Sequence, residues 1–298
     1  MTLKDLTPAA RAAVEQKTIG GGWDGRSLVK LMAELDRWDN MAEGRKAWAK
    51  RVFIGGIIGS VLGFILMFFV SAITKTFLFG LPVFLVPVAV LIMGIRMKKA
   101  ARAVDLPNEL RISLRPVLRQ LSQDLHPDEK IKVSMNLAGI DEKKCARKKK
   151  LPPYGRNTSL TQSFYDEDLC AIRLPLTDGS TAVLRLENQY LKLERSYRSS
   201  RGKSKSKTKW KKLSTVTAIL IPPSPIQWNR SGAAQSMNAA NERMSFPEKD
   251  GVTVARMDRY YKFKAADDPP DNAVPGADIV RMFVRLTAMR PRAAGGSL

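Results

Sequence analysis

The chain has 298 residues, 44% of them apolar, with 50 lysines and arginines against 28 acids, a formal charge of +22. That length accommodates one or two domains, and so large an excess of positive charge implies contact with polyanions, phospholipid head groups or nucleic acid. Two cysteines without CxxC spacing (Cys145 and Cys170) and one histidine (His126) exclude a zinc site.

The N-terminal 51 residues read as cytoplasmic helices. Residues 3–17 predict a short helix ended by Gly20, Gly21 and Gly22. A stronger helix begins near Ser27, where Leu28, Leu31, Leu35, Trp38 and Ala42 recur at steps of three and four and form one apolar stripe. This helix is expected to run into the membrane.

Residues 52–73 (VFIGGIIGSVLGFILMFFVSAI) and 77–95 (FLFGLPVFLVPVAVLIMGI) are two runs without a charged residue. At 1.5 Å per residue they reach about 33 Å and about 28 Å, the thickness of a hydrocarbon core. Only Thr74, Lys75 and Thr76 separate them, so the two helices are expected to form an antiparallel transmembrane hairpin. Arg45, Lys46, Lys50 and Arg51 precede the first run and Arg96, Lys98, Lys99 and Arg102 follow the second, whereas the turn holds only Lys75. The positive-inside bias then places both termini in the cytoplasm, the chain being an integral protein of the cytoplasmic (inner) membrane. Gly55, Gly59 and Gly63 recur every four residues as a helix-packing stripe, its partner the second span or another subunit. Pro82 and Pro87 are expected to bend the second span. Neither run contains Asp, Glu, Lys, Arg or His, which argues against a pump or transporter.

Residues 96–298 predict a basic cytoplasmic α+β domain: an antiparallel β-rich sheet or partly open barrel with flanking helices. A helix over 108–125 is interrupted by Pro116 and closed by His126-Pro127; a strand follows at 130–137. A meander then takes residues 170–176, a Thr177-Asp178-Gly179-Ser180 turn, residues 181–187, a turn at Asn188-Gln189, residues 190–198, and residues 209–221, stopped by Pro222, Pro223 and Pro225. Residues 252–264 read as a further strand and 278–289 as a closing helix. Flexible segments are expected near 141–165, 199–208 and 222–250. The order of elements over residues 52–290 resembles that of bacterial membrane proteins in which a two-helix hairpin precedes a pleckstrin-homology-like β domain. Such domains are mostly scaffolds and binding modules, so the resemblance favours a non-enzymatic role.

Half of the charge excess lies between residues 141 and 212, which hold 19 lysines and arginines and 8 acids. One cluster comprises Lys143, Lys144, Arg147, Lys148, Lys149 and Lys150; the other comprises Arg201, Lys203, Lys205, Lys207, Lys209 and Lys211, followed by Lys212. The second alternates with Gly202, Ser204, Ser206 and Thr208, and an extended chain has a side-chain period of two, so its cations are expected on one side of a hairpin. Anionic lipid head groups or an acidic protein are the expected partners. Nucleic acid is less favoured, because no recognition helix or RNA-binding aromatic signature accompanies the lysines. Basic neighbours are expected to lower the pKa of Cys145, and both cysteines read as plain thiols in a reducing cytoplasm.

No P-loop, GxGxxG, GxSxG, HExxH or EF-hand pattern is present. The adjacent acids Asp166, Glu167 and Asp168 are expected to point in different directions rather than to share a cation. The reading is therefore a non-enzymatic, membrane-anchored scaffold or regulatory module without a cofactor or metal, capable of homo-oligomerisation. The alternative is a subunit of an oligomeric channel or secretion-type assembly.

Overall fold

The computed structural model describes residues 3–74, 77–125, 129–140, 144–153, 155, 157–228 and 241–290. Lys75, His126, Pro127, Lys143 and residues 229–240, all used in the sequence reading, lie outside them. Among the described residues are five helices: α1 (Pro8–Gln16), α2 (Gly25–Thr74), α3 (Phe77–Val104), α4 (Arg115–Leu121) and α5 (Gly276–Ala288). The strands are β1 (Thr18–Trp23), β2 (Ile131–Asn136), β3 (Arg147–Leu151), β4 (Asn157–Pro175), β5 (Thr181–Arg198), β6 (Ser204–Ile221), β7 (Glu242–Ser245), β8 (Glu248–Lys249), β9 (Val252–Thr253) and β10 (Ala255–Ala266). The chain divides into two units, Glu34–Leu106 and Thr2–Ala33 together with Pro107–Leu298.

In the first unit α2 and α3 lie antiparallel, and both are long and apolar enough to cross a membrane. Their outer sides expose Ile58, Val61, Leu62, Phe68 and Phe69 on α2, and Leu85, Val86, Ile92, Met93 and Ile95 on α3. Exposed apolar belts of this extent are rare on monomeric soluble proteins. The inner sides meet through glycine. A Cβ on Gly56 would stand 2.7 Å from Leu91 Cα, one on Gly63 2.7 Å from the Val83 carbonyl oxygen, and one on Gly94 2.8 Å from Phe53 Cα. Gly59 faces Pro87. Gly55, expected in this stripe, faces open space instead. The reason is helical drift: at about 100° per residue an eight-residue step misses by roughly 80°, whereas the seven-residue step from Gly56 to Gly63 misses by about 20°. α3 continues through Pro82 and Pro87. At the base of the hairpin, Lys46 pairs with Asp105 at 2.6 Å and the Leu106 N–H donates to Asp39 Oδ1 at 3.2 Å.

The second unit is built on one large antiparallel sheet, ordered β1-β2-β4-β5-β6-β10-β7 with β3 beside β4. Its inner face is apolar through Ile172, Leu174, Leu184, Leu186, Val216, Ala218 and Leu220. α5 packs on β6 and on α4 with Ile279, Met282, Phe283 and Leu286 buried. Its start approaches the preceding helical segment so closely that a Cβ on Gly276 would stand 2.8 Å from the Ser113 carbonyl oxygen. The single helix expected over 108–125 is divided. A π-helical turn, Leu110–Leu114, precedes α4, and Pro116 stands in the first turn of α4. Proline lacks a donor and crowds the carbonyl four residues back, so the widened turn sits where an α-helix could not continue.

Several expected boundaries are corrected. Gly20, Gly21 and Gly22 form β1, an edge strand paired to β2, not the end of a helix. β5 runs unbroken through Asn188-Gln189, so the expected turn is absent. β4 starts at Asn157 and β6 at Ser204, inside segments expected to be flexible; cross-strand pairing along β5 orders both. β7, β8 and β9 lie within or just beyond the expected long connection.

Candidate anion-contact face

Antiparallel register decides which side chains share a face, because directly paired residues project the same way. Lys211 pairs with Leu191 and with Lys264; Leu191 pairs with Phe164, which pairs with Arg147. One row further toward the hairpin tip, Lys209 pairs with Leu193, Leu193 with Gln162 and Gln162 with Lys149. Lys207 then pairs with Arg195, and Lys205 with Tyr197. From these rows to the tip, every charged residue at the outer-face register positions of β3, β4, β5, β6 and β10 is a cation. The lysines among them and Arg147 are exposed, and Arg147 lies 4.6 Å over the Phe164 ring. Half-buried Leu160, Leu191, Leu193 and Tyr197 lie between the cations. The sequence alternation thus becomes one cationic face drawn from four strands.

The other expected contact residues fall elsewhere. Arg201 lies in the tip turn, closed by Ser199 N–H donating to the Lys203 carbonyl at 2.9 Å. Lys148 and Lys150 project from the opposite face, since they pair with Ser163 and Thr161. Lys212 is corrected outright: it is 2% exposed, paired with Glu109, and donates to the Asn272 carbonyl at 2.8 Å. An even-numbered neighbour in a strand of odd-numbered lysines points inward, and only its partners allow a charge there. Sequence patterning misses Arg195 and Lys264; the Lys-Phe-Lys alternation of residues 262–264 is the signal that identifies Lys264, whereas Lys262 falls in the next row, level with Asp166. Of the three adjacent acids, Asp166 and Asp168 are exposed and Glu167 is buried, as strand alternation requires. Asp168 pairs directly with Glu187, so the cationic stretch ends in the middle of the sheet.

Behind the face lies a buried polar cluster. Asn188 donates to Glu109 Oε1 at 3.2 Å and to Glu167 Oε2 at 3.1 Å, Tyr190 donates to Glu167 Oε2 at 3.2 Å, and Ser214 donates to Asn188 Oδ1 at 2.7 Å. Among the described residues Glu167 Oε1 has no hydrogen-bond partner. Burial, with the Glu109 charge adding to it, holds the Glu167 carboxyl above its ordinary range. A bulge between Asp168 and Cys170 lets both Glu167 and Cys170 face inward. Burial pushes the Cys170 thiol up to about 12. Cys145 donates to the carbonyls of Arg147 and Phe164, packed against the cluster of Tyr165, Tyr190 and Trp210. Both thiols are free.

Among the described residues no group of His, Cys, Asp or Glu is arranged to hold a metal ion. What the exposed face can do chemically is bind: it offers several ammonium and guanidinium groups at strand spacing to a surface of anions. Comparison with protein families, with curated proteins and with solved structures returns no match.

Proposed function

We propose that this chain is a membrane-anchored scaffold or regulatory module that acts by binding rather than catalysis. The α2–α3 hairpin crosses the cytoplasmic membrane twice, with both termini inside. The basic flanks of the two apolar runs, set against a connecting turn that holds only Lys75, support that orientation. The sheet's outer face contacts anionic lipid head groups or an acidic protein surface.

The observation that carries the binding role is the cross-strand register that gathers Arg147, Lys149, Arg195, Lys205, Lys207, Lys209, Lys211 and Lys264 on one side of the sheet. Each cation near an anionic leaflet contributes about 1 kcal/mol, and Leu191, Leu193 and Tyr197 between them suit the head-group boundary. The channel-subunit alternative loses an argument, because Gly56, Gly59 and Gly63 of α2 pack on α3 of the same chain.

The test uses full-length protein in phosphatidylcholine nanodiscs, mixed with vesicles of phosphatidylcholine with or without phosphatidylserine. Capture of the anionic vesicles alone, reversed by salt, supports lipid contact. Capture that is absent or insensitive to salt removes lipid as the partner.

A further inference from the structure

At the opposite end of the same outer face lies an open cleft of about 550 Å³, within the roughly 300–1,000 Å³ typical of small-molecule sites. Its axis runs across the sheet. Arg256 pairs with Ile219, Ile219 with Val183, Val183 with Arg173 and Arg173 with Lys132, one row through five strands. Four strand spacings of about 4.8 Å make that row roughly 19 Å long. The floor of the cleft is apolar, from Val183, Ile219 and Ile221, with Val254 and Pro247 on the far side.

The polar groups are unequally placed. Arg256 is already held by Asp258 at 3.0 Å, and Glu248 lies at that same end. At the other end Lys132, Arg173 and Arg185 are exposed and make no ion pair among the described residues. Arg185 sits one row along from Val183, paired with Ala171. The cleft thus has an anion-accepting end and an apolar trough leading away from it.

We propose that this cleft binds an anionic amphiphile, one phosphate or carboxylate head on Arg173, Arg185 and Lys132 with an apolar tail over Val183, Ile219 and Ile221. Guanidinium groups favour such heads because their planar donors match paired oxygens, and the tail gains by leaving water. The site is separate from the cationic face near the hairpin tip, and its occupancy does not depend on vesicle contact there.

The test is titration calorimetry on the full chain in phosphatidylcholine nanodiscs, against protein-free nanodiscs, with dodecyl phosphate, dodecanoate, dodecanol and inorganic phosphate. One equivalent of dodecyl phosphate or dodecanoate binds saturably. The tighter of the two tells a phosphomonoester lipid from a fatty acid as the source. Arg173→Ala/Arg185→Ala weakens binding at least about tenfold through loss of charge-assisted hydrogen bonds, while Lys148→Ala/Lys150→Ala, on the opposite face of the sheet, leaves it unchanged. A diazirine-tailed dodecyl phosphate labels β5 and β6 peptides containing Val183 and Ile219 in the unmodified protein. Equal binding of dodecanol or of inorganic phosphate, an unchanged affinity in the double arginine variant, or labelling confined to other segments overturns the proposal.

Discussion

Lys212 Nζ donates to Glu109 Oε1 across 103 residues of chain, between side chains only 1% and 5% exposed. The pair ties the helical segment before α4 to the middle of β6, and it withdraws one lysine from a strand whose other lysines face water. Breaking such a pair costs more than deleting it, because the remaining partner stays charged and buried. Lys212→Ala should lower the unfolding free energy by about 3–5 kcal/mol. Glu109→Leu/Lys212→Met should cost clearly less than either single change. Denaturant unfolding followed by tryptophan fluorescence measures both, and a Lys212→Ala cost below about 1 kcal/mol would show that the pair is not buried in solution.

Glu167 supplies a pH dependence of known sign. Its carboxyl is raised in the folded state by burial, so the folded protein holds the proton more tightly than the unfolded chain does. The stability linked to this group is fully present below the ordinary glutamate range and is lost as pH rises through the raised folded value. Glu167→Gln should remove that decline, leaving a flatter stability profile above the ordinary carboxylate range. Unfolding midpoints collected against pH for the two proteins decide it, with parallel profiles as the adverse result.

These two residues mark where the sequence stops being legible. The membrane-compatible hairpin could be read directly, because two charge-free runs flanked by cations need no knowledge of tertiary contacts. The alternation of Lys205 to Lys211 could be read too, since period two is a local property. Glu167, Asn188 and Lys212 could not: each is polar, and each is buried only because residues far along the chain satisfy it. Asn188-Gln189 looked like a turn for that reason. The first half of β4, rich in Asn, Thr, Ser and Gln, reads as a loop in the sequence because its order comes from pairing with β5. Gly20, Gly21 and Gly22 likewise owe their extended form to β2.

Close approach of α2 and α3 makes the glycines unequal. Gly94→Ala places a methyl 2.8 Å from Phe53 Cα, whereas a Cβ on Gly55 meets nothing within 4 Å. Backbone atoms cannot step aside as a side chain can, so Gly94→Ala should destabilise the hairpin by about 1–3 kcal/mol. Gly55→Ala should be neutral or slightly stabilising through helix propensity. SDS-driven unfolding of the two variants in mixed micelles gives the comparison, and an equal response would mean the helices pack through another face.

The two thiols should react very differently. Cys170 is fully enclosed and its thiol is pushed up to about 12, so almost no thiolate exists near neutral pH to attack an alkylating reagent. Cys145 is partly exposed. Iodoacetamide should therefore label Cys145 in the folded protein, with Cys170 joining only in denaturant. Peptide mass spectrometry after a timed reaction reads the ratio. Early labelling of Cys170 would indicate that β4 opens around its bulge.

The cationic face near the tip yields the prediction that bears most directly on function. Lys207 and Lys209 project from the outer side of β6, and both are exposed, so neither contributes much to the fold. If each adds about 1 kcal/mol toward an anionic leaflet, Lys207→Ala/Lys209→Ala should weaken capture of phosphatidylserine vesicles by roughly thirtyfold. Lys148→Ala/Lys150→Ala removes the same charge from the opposite face and should weaken capture much less. The comparison separates a face from a mere total of charge, because both variants carry the same net charge and differ only in where it was lost. Equal losses would show that the protein's overall field, not the register of its strands, attracts the membrane.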